Sequence, residues 1–166
     1  MILLALGANL PSPRFGPPRA TCEAALRELE ARGIRVVKRS RWYRSRPVPP
    51  SAQPDYVNGV AAVETALDPA ALLAELHGIE TAFGRERREK NAARMLDLDL
   101  IAYHERVSDG GRGGPILPHP RMAGRAFVLA PLREVAPDWR HPASGRTLDE
   151  LIAALEPAAA AAVPLC

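Results

Sequence analysis

Cysteine is scarce in this 166-residue chain: only Cys22 and Cys166 occur. They have no metal-ligand spacing and no disulfide framework, so a reducing compartment is expected. Cys22 falls on a helical face and is predicted to be core. Long apolar runs are also missing. No stretch approaches the roughly 20 apolar residues of a membrane-spanning helix. The apolar start Met1–Leu6 is too short for a signal sequence and has no basic segment before it. The expected location is the cytoplasm, with no membrane partner. His77, His104 and His141 show no ligand spacing, which argues against a zinc site. No Walker A loop is present, because Gly7-Ala8-Asn9-Leu10 has a single glycine. Phosphate, if bound, must be held by arginines and metal. Internal repeats and linkers are absent too, so residues 1–166 are expected to form one domain; a monomer is expected as well.

What remains is an ordinary globular composition, with 47% hydrophobic and 25% charged residues, enough to build a core without staples. The net charge of +3 suits an anionic ligand. The most informative segment is Arg94-Met95-Leu96-Asp97-Leu98-Asp99-Leu100-Ile101. It alternates, so it predicts a strand with Leu96, Leu98 and Leu100 on one face and both aspartates on the other. Two residues of strand separate the aspartate Cα atoms by roughly 6.5–7 Å. Two carboxylates on one rigid face can hold hard divalent cations. The run Arg85-Glu86-Arg87-Arg88-Glu89-Lys90 lies just upstream, and acidic ligands beside cations suggest a polyphosphate site. Like charges on an unliganded loop repel, so this segment is expected to move until phosphate orders it. The competing readings are a solvated acidic edge strand and a solvated basic surface.

Strands are predicted over Ile2–Leu6, Ile34–Arg44 and Tyr56–Thr65, in addition to the aspartate strand. Helices are predicted from Pro18 to Arg32 and from Asp68-Pro69 to Gly84. The first carries the apolar stripe Cys22, Ala25, Leu26, Leu29 and ends before Gly33; the second carries Leu72, Leu76, Ile79, Phe83. The order β-α-β-β-α-β predicts an α+β fold, a ferredoxin-like core with an antiparallel sheet. Arg46–Pro54 and Gly110–Gly114 read as loops. Additional C-terminal helices, near Gly124–Pro131 and from the capping box Thr147-Leu148-Asp149-Glu150, complete α/β/α layers. The alanine-rich tail Pro157–Cys166 is expected to fray.

Tyr56 and Asn58 share a strand face, where a ring and a carboxamide can stack on and bind a flat heterocycle. An ordinary cross-strand pair is the alternative. Leu117-Pro118-His119-Pro120-Arg121 is a rigid turn presenting an imidazole and a guanidinium. Lys38, Arg39, Arg41, Trp42, Tyr43 and Arg44 interleave cations with aromatics, so an RNA-binding module is a competing function. The glycine-aromatic pattern of that class is absent. A regulatory domain that binds a small molecule without catalysis is a third reading.

Five stretches together resemble the 6-hydroxymethyl-7,8-dihydropterin pyrophosphokinase family: Leu6–Leu10; Tyr43–Ser45; Gln53–Asn58; Gly84-Arg85 with Arg94–Leu100; and Pro118–Arg121 with Arg125–Phe127. The resemblance implies transfer of the β,γ-diphosphate of ATP to a pterin hydroxymethyl group. By similarity, Asp97 and Asp99 hold two magnesium ions, and Arg85 and Arg94 are catalytic, with Arg87 assisting. The pterin side would be Ser45, Val48, Tyr56, Asn58 and Phe127. The ATP side would be Leu73, His77, Leu100, Ile116, His119, Arg121 and Arg125. Small-molecule substrates and no nucleic acid are then expected. The chain departs from the family pattern at Asn91-Ala92-Ala93, where tryptophan, glycine and proline are common. Met95 replaces a threonine, Arg46 a proline and His77 a glutamine.

Overall fold

The computed structural model describes residues 1–47, 49–84, 94–157 and 161–165. Strand β1 (Ile2–Ala8) is buried throughout and is an inner strand of the sheet. Helix α1 (Pro18–Ala31) follows with a proline in its first turn, where a missing N–H costs nothing. Next come β2 (Arg35–Arg39), β3 (Tyr43–Ser45) and β4 (Tyr56–Glu64). Helix α2 (Pro69–Ala82) begins where the Asp68 carboxylate accepts a hydrogen bond from the Ala71 N–H at 2.8 Å. Strand β5 (Asp97–Tyr103) is followed by the short pair β6 (Ser108–Asp109) and β7 (Ile116–Leu117). Helices α3 (Ala126–Val135) and α4 (Leu148–Ala153) and strand β8 (Val163–Pro164) complete the order. Thr147 and Glu150 close the capping box of α4 in both directions.

The main sheet runs β5-β1-β4-β3-β8, with β2 also on β4, and every pairing is antiparallel. This is the predicted core topology. One face of the sheet, with Leu4, Leu6, Leu98 and Leu100, packs on Cys22 and Leu26 of α1 and Leu72 and Leu76 of α2. The other, with Leu3, Ala5, Val60 and Ile101, packs on Leu129 and Leu132 of α3 and Leu148 of α4. Helices therefore cover both faces. Cys22 is fully buried, and burial pushes its thiol up to about 12. Among the described residues no helix is long and apolar enough to cross a membrane.

Three expectations need correction. The single strand predicted over Ile34–Arg44 is two strands. Arg39 lies opposite Ala61 and Tyr43 opposite Asn58, so the stretch from Arg39 to Tyr43 contains one residue more than the segment of β4 it faces. The excess is absorbed at Ser40–Trp42: the Ser40 N–H donates to the Val60 carbonyl, and the Val60 N–H donates to the Ser40 hydroxyl. The helix expected near Gly124–Pro131 starts at Ala126 and continues past Pro131 to Val135. Its buried Val128, Leu129, Leu132 and Val135 face the sheet, and that packing outweighs the proline penalty. The tail does not fray at its end. Val163 and Pro164 pair with Arg44 and Tyr43, and the Leu165 N–H donates to the Trp42 carbonyl at 2.8 Å. Cys166 lies outside the described residues.

The Trp42 ring fills the space above Gly59, where an added Cβ would stand 2.6 Å from a ring carbon. Gly59→Ala must displace a buried indole whose N–H is held by Glu23 at 2.7 Å. A loss of about 1–3 kcal/mol is expected, as for other overpacked cores. Urea denaturation of the two proteins checks it.

Candidate active site

The register sets one row of residues across four strands: Tyr43, Asn58, Gly7 and Asp97. A second row on the same face places Ala5 between Val60 and Asp99. Strand β1 thus contributes a glycine and an alanine between the carboxylates of β5 and the carboxamide of β4. A Cβ on Gly7 would stand 3.0 Å from Asn58 Oδ1. These small residues form the floor of a cavity of about 400 Å³.

The alternation read in the aspartate segment is present. Leu96, Leu98 and Leu100 are buried, while Asp97 and Asp99 line the cavity. The strand itself begins at Asp97 rather than Arg94. It is the sheet's outer strand, so the Leu98 N–H faces away from β1. It donates to the Glu80 carboxylate at 2.9 Å. Glu80 comes from α2 and is buried, so the backbone is pinned midway between the two aspartates. The sequence reading did not single out Glu80. Its signal was an acid four residues after Leu76, on the stripe facing the core.

Cations face the aspartates. Arg94 Nη1 donates to Asp97 Oδ1 at 3.1 Å. Arg125 precedes α3, and burial depresses its guanidinium below the ordinary arginine value, opposed by Asp99. His119 is anchored by its N–H to the Ile101 carbonyl at 2.8 Å. Burial, then Arg125 and Arg121, push its imidazole down to about 4. Its Nδ1 accepts the Arg121 N–H at 3.2 Å, so the neutral ring carries its proton on Nε2.

The other end of the cavity is less charged. Asn58 is buried, and its Nδ2 donates to the Ser45 hydroxyl at 2.7 Å. Tyr56 flanks it, its phenol raised above the usual value by burial. Phe127 closes the slot from α3, with the Arg125 guanidinium 5.4 Å from its ring centre.

Ten anticipated residues therefore share one lining: Ser45, Tyr56, Asn58, Arg94, Asp97, Asp99, His119, Arg121, Arg125 and Phe127. Four do not join it. Leu73 and His77 are on α2, Leu100 is in the core, and Ile116 is exposed on β7. Val48, Arg85 and Arg87 lie outside the described residues, as do all of residues 85–93, including the Asn91–Ala93 departure and the segment expected to move until phosphate orders it. Arg46 and Gln53 also line the cavity, although sequence reasoning assigned them no site role.

The basic strand read as a possible RNA surface is otherwise engaged. Trp42 and Tyr43 are buried and cannot stack on bases. Arg39 pairs with Glu23, Arg41 with Glu134 and Arg35 with Glu64.

A cavity with carboxylates and guanidiniums at one end and a ring-and-amide slot at the other suits a nucleotide-dependent transferase acting on a flat heterocycle. The chain belongs to the 7,8-dihydro-6-hydroxymethylpterin-pyrophosphokinase family, whose profile matches residues 3–137. It is similar to the 2-amino-4-hydroxy-6-hydroxymethyldihydropteridine pyrophosphokinase of Synechocystis sp., at 45% identity over 151 residues, covering 90% of this chain and 73% of the relative. The enzyme of that name from Pseudomonas aeruginosa is 44% identical over 154 residues, covering 92% and 90%. The one from Haemophilus influenzae is 39% identical over 150 residues, covering 90% and 89%. These names give the RNA-binding reading no support.

His119 yields a pH dependence with a definite sign. Its imidazole has a value of 6.5 in the open chain and about 4 in the fold. Between them the unfolded state binds more protons. His119 should therefore make stability fall as pH drops from 6.5 towards 4, level off below, and add no slope above. An NMR titration should place the His119 midpoint well below that of an exposed histidine. His119→Gln should flatten urea-unfolding stability across the same window.

Proposed function

We propose that this chain transfers the β,γ-diphosphate of ATP to the hydroxymethyl group of 6-hydroxymethyl-7,8-dihydropterin, releasing AMP, as a step of folate biosynthesis. Family membership and one observation support the reading: a single cavity joins the Asp97/Asp99 pair and its arginines to the Tyr56/Asn58/Phe127 slot. The acceptor hydroxyl oxygen bonds to the β-phosphorus. The bond from that phosphorus to the bridging oxygen of AMP breaks, and the hydroxyl proton is released.

Asp97 and Asp99 present only carboxylate oxygens, the donors magnesium prefers. Among the described residues no third histidine, cysteine or acid joins them in a cluster. Phosphate oxygens and water would complete the shell, as is usual for magnesium at nucleotides. We assign two ions to this pair: Asp97 and Asp99 would hold them, and they would supply neutralisation of phosphate charge and polarisation of the acceptor oxygen. Arg94, Arg121 and Arg125 neutralise the remaining phosphate oxygens, and His119 offers its Nε2–H to one of them. Asn58, oriented by Ser45, reads the edge of the pterin, while Tyr56 and Phe127 enclose its faces. Both α2 and β7 pack against β5. The adenine end of ATP is assigned to that edge, with Leu73, His77, Leu100 and Ile116 beside it. Val48 on the pterin side, and Arg85 and Arg87 on the phosphate side, keep their family roles as part of the proposal. The chain is assigned one domain and a monomeric state.

The direct test is AMP release from ATP that depends on magnesium and on hydroxymethyldihydropterin. Asp97→Ala is expected to lower kcat by at least about 10²-fold, the scale of a lost electrostatic partner at a transition state. Its far-UV circular dichroism should be unchanged, because Asp97 lies off the apolar face. Asn58→Ala should weaken pterin binding by about 1–3 kcal/mol and leave ATP binding nearly unchanged. Calorimetry that shows ATP, not pterin, losing affinity would overturn the division of the site.

A further inference from the structure

Asn9 follows the last residue of β1 and is 1% exposed. It does not line the cavity, yet its carboxamide reaches both halves of the site. Oδ1 accepts the Arg94 N–H at 2.8 Å. Nδ2 donates to Gln53 Oε1 and to the Pro54 carbonyl, both at 3.1 Å. The Asn9 and Leu10 N–H groups donate to the Arg94 carbonyl at 3.0 and 3.2 Å. Both backbone groups of Arg94 are thus latched to one short segment. The orientation of the amide is forced, since a backbone N–H meets one end and a backbone carbonyl the other. Aspartate has no amide donor for the second end. Leucine has neither an acceptor nor a donor.

The contacts on the two sides belong to different substrates under the reading above, on which this inference rests. Arg94 donates a hydrogen bond to Asp97 on the phosphate side. Gln53 lines the cavity beside Tyr56 and Asn58 on the pterin side. Arg94 lies just before β5, where ladder pairing with β1 has ended. Nothing in the strand ladder fixes its backbone; the latch to Asn9 and Leu10 does. We propose that Asn9 is a positioning residue that sets the Arg94 backbone and the Gln53–Pro54 corner relative to each other. It aligns the guanidinium with the acceptor hydroxyl without touching either substrate.

A positioning role predicts an effect on turnover and pterin use that loss of folded protein does not produce. Asn9→Ala should lower kcat per folded enzyme by about 10²-fold, the scale of a 1 Å misplacement. KM for the pterin should rise, and the ATP dissociation constant should move much less. The discriminating measurement is a double-mutant cycle with Arg94→Ala. If Asn9 acts through Arg94, adding Asn9→Ala to Arg94→Ala should cost little further kcat. Additive losses, or full kcat in Asn9→Ala beside an impaired Arg94→Ala, overturn the proposal and leave the assigned reaction standing. Full kcat in Arg94→Ala removes the role of Arg94 itself, and the Asn9 proposal falls with it. Should Asn9→Ala fail to fold, hydrogen exchange of the wild-type protein decides. The Arg94 amide must be protected, and exchange at an open-chain rate overturns the latch.

Discussion

The site depends on the register of β1 between β4 and β5. That register places Gly7 between Asn58 and Asp97, and Ala5 beside Asp99. Shifting β1 by one residue would turn Leu6 and Leu4 to the cavity side and fill it, because side chains alternate along a strand. The same shift would remove apolar surface from the core under α1 and α2. Burial on one face thus enforces an open floor on the other. The binding geometry is stabilised by packing far from any ligand.

Charge is distributed with a similar separation of tasks. Outside the cavity, arginines sit on glutamates. Arg39 holds Glu23 down to about 2, mainly through its hydrogen bonds, and Arg41 and Tyr43 share Glu134. Among the described residues that line it the balance is unequal: Arg46, Arg94, Arg121 and Arg125 stand with Asp97 and Asp99. The excess of positive charge is partly desolvated, which depresses Arg125 and keeps His119 neutral. Such a cavity favours a polyanion, and the carboxylates give it a place for cations that travel with the polyanion.

Much of this was legible in the sequence because it rests on local periodicity. The alternation Leu96–Leu100 names both the buried face and the carboxylate face. Asp68-Pro69 and Thr147–Glu150 mark helix starts through short-range hydrogen bonds. What escaped depends on tertiary context. The break at Ser40–Trp42 exists because an indole needs the room that Gly59 leaves, and propensity alone carries no trace of that. Val163–Pro164 becomes a strand only because β3 offers an edge. Glu80 and Asn9 are far in sequence from the groups they hold, Leu98 and Arg94, and neither sits in a run whose pattern reveals the partner.

The two borders of the sheet have a consequence for self-association. An outer strand with a row of unpaired N–H and carbonyl groups invites another chain to add to it. At one border the Leu98 N–H is occupied by Glu80. At the other, β2 is irregular between Val36 and Lys38 and carries Arg35, Lys38 and Arg39. The edge of β3 is covered by β8, a two-residue strand whose Pro164 has no N–H to offer. Each border is therefore a poor template for edge-to-edge growth. The contacts that shape the aspartate strand and close the chain's end also protect the fold against β-aggregation.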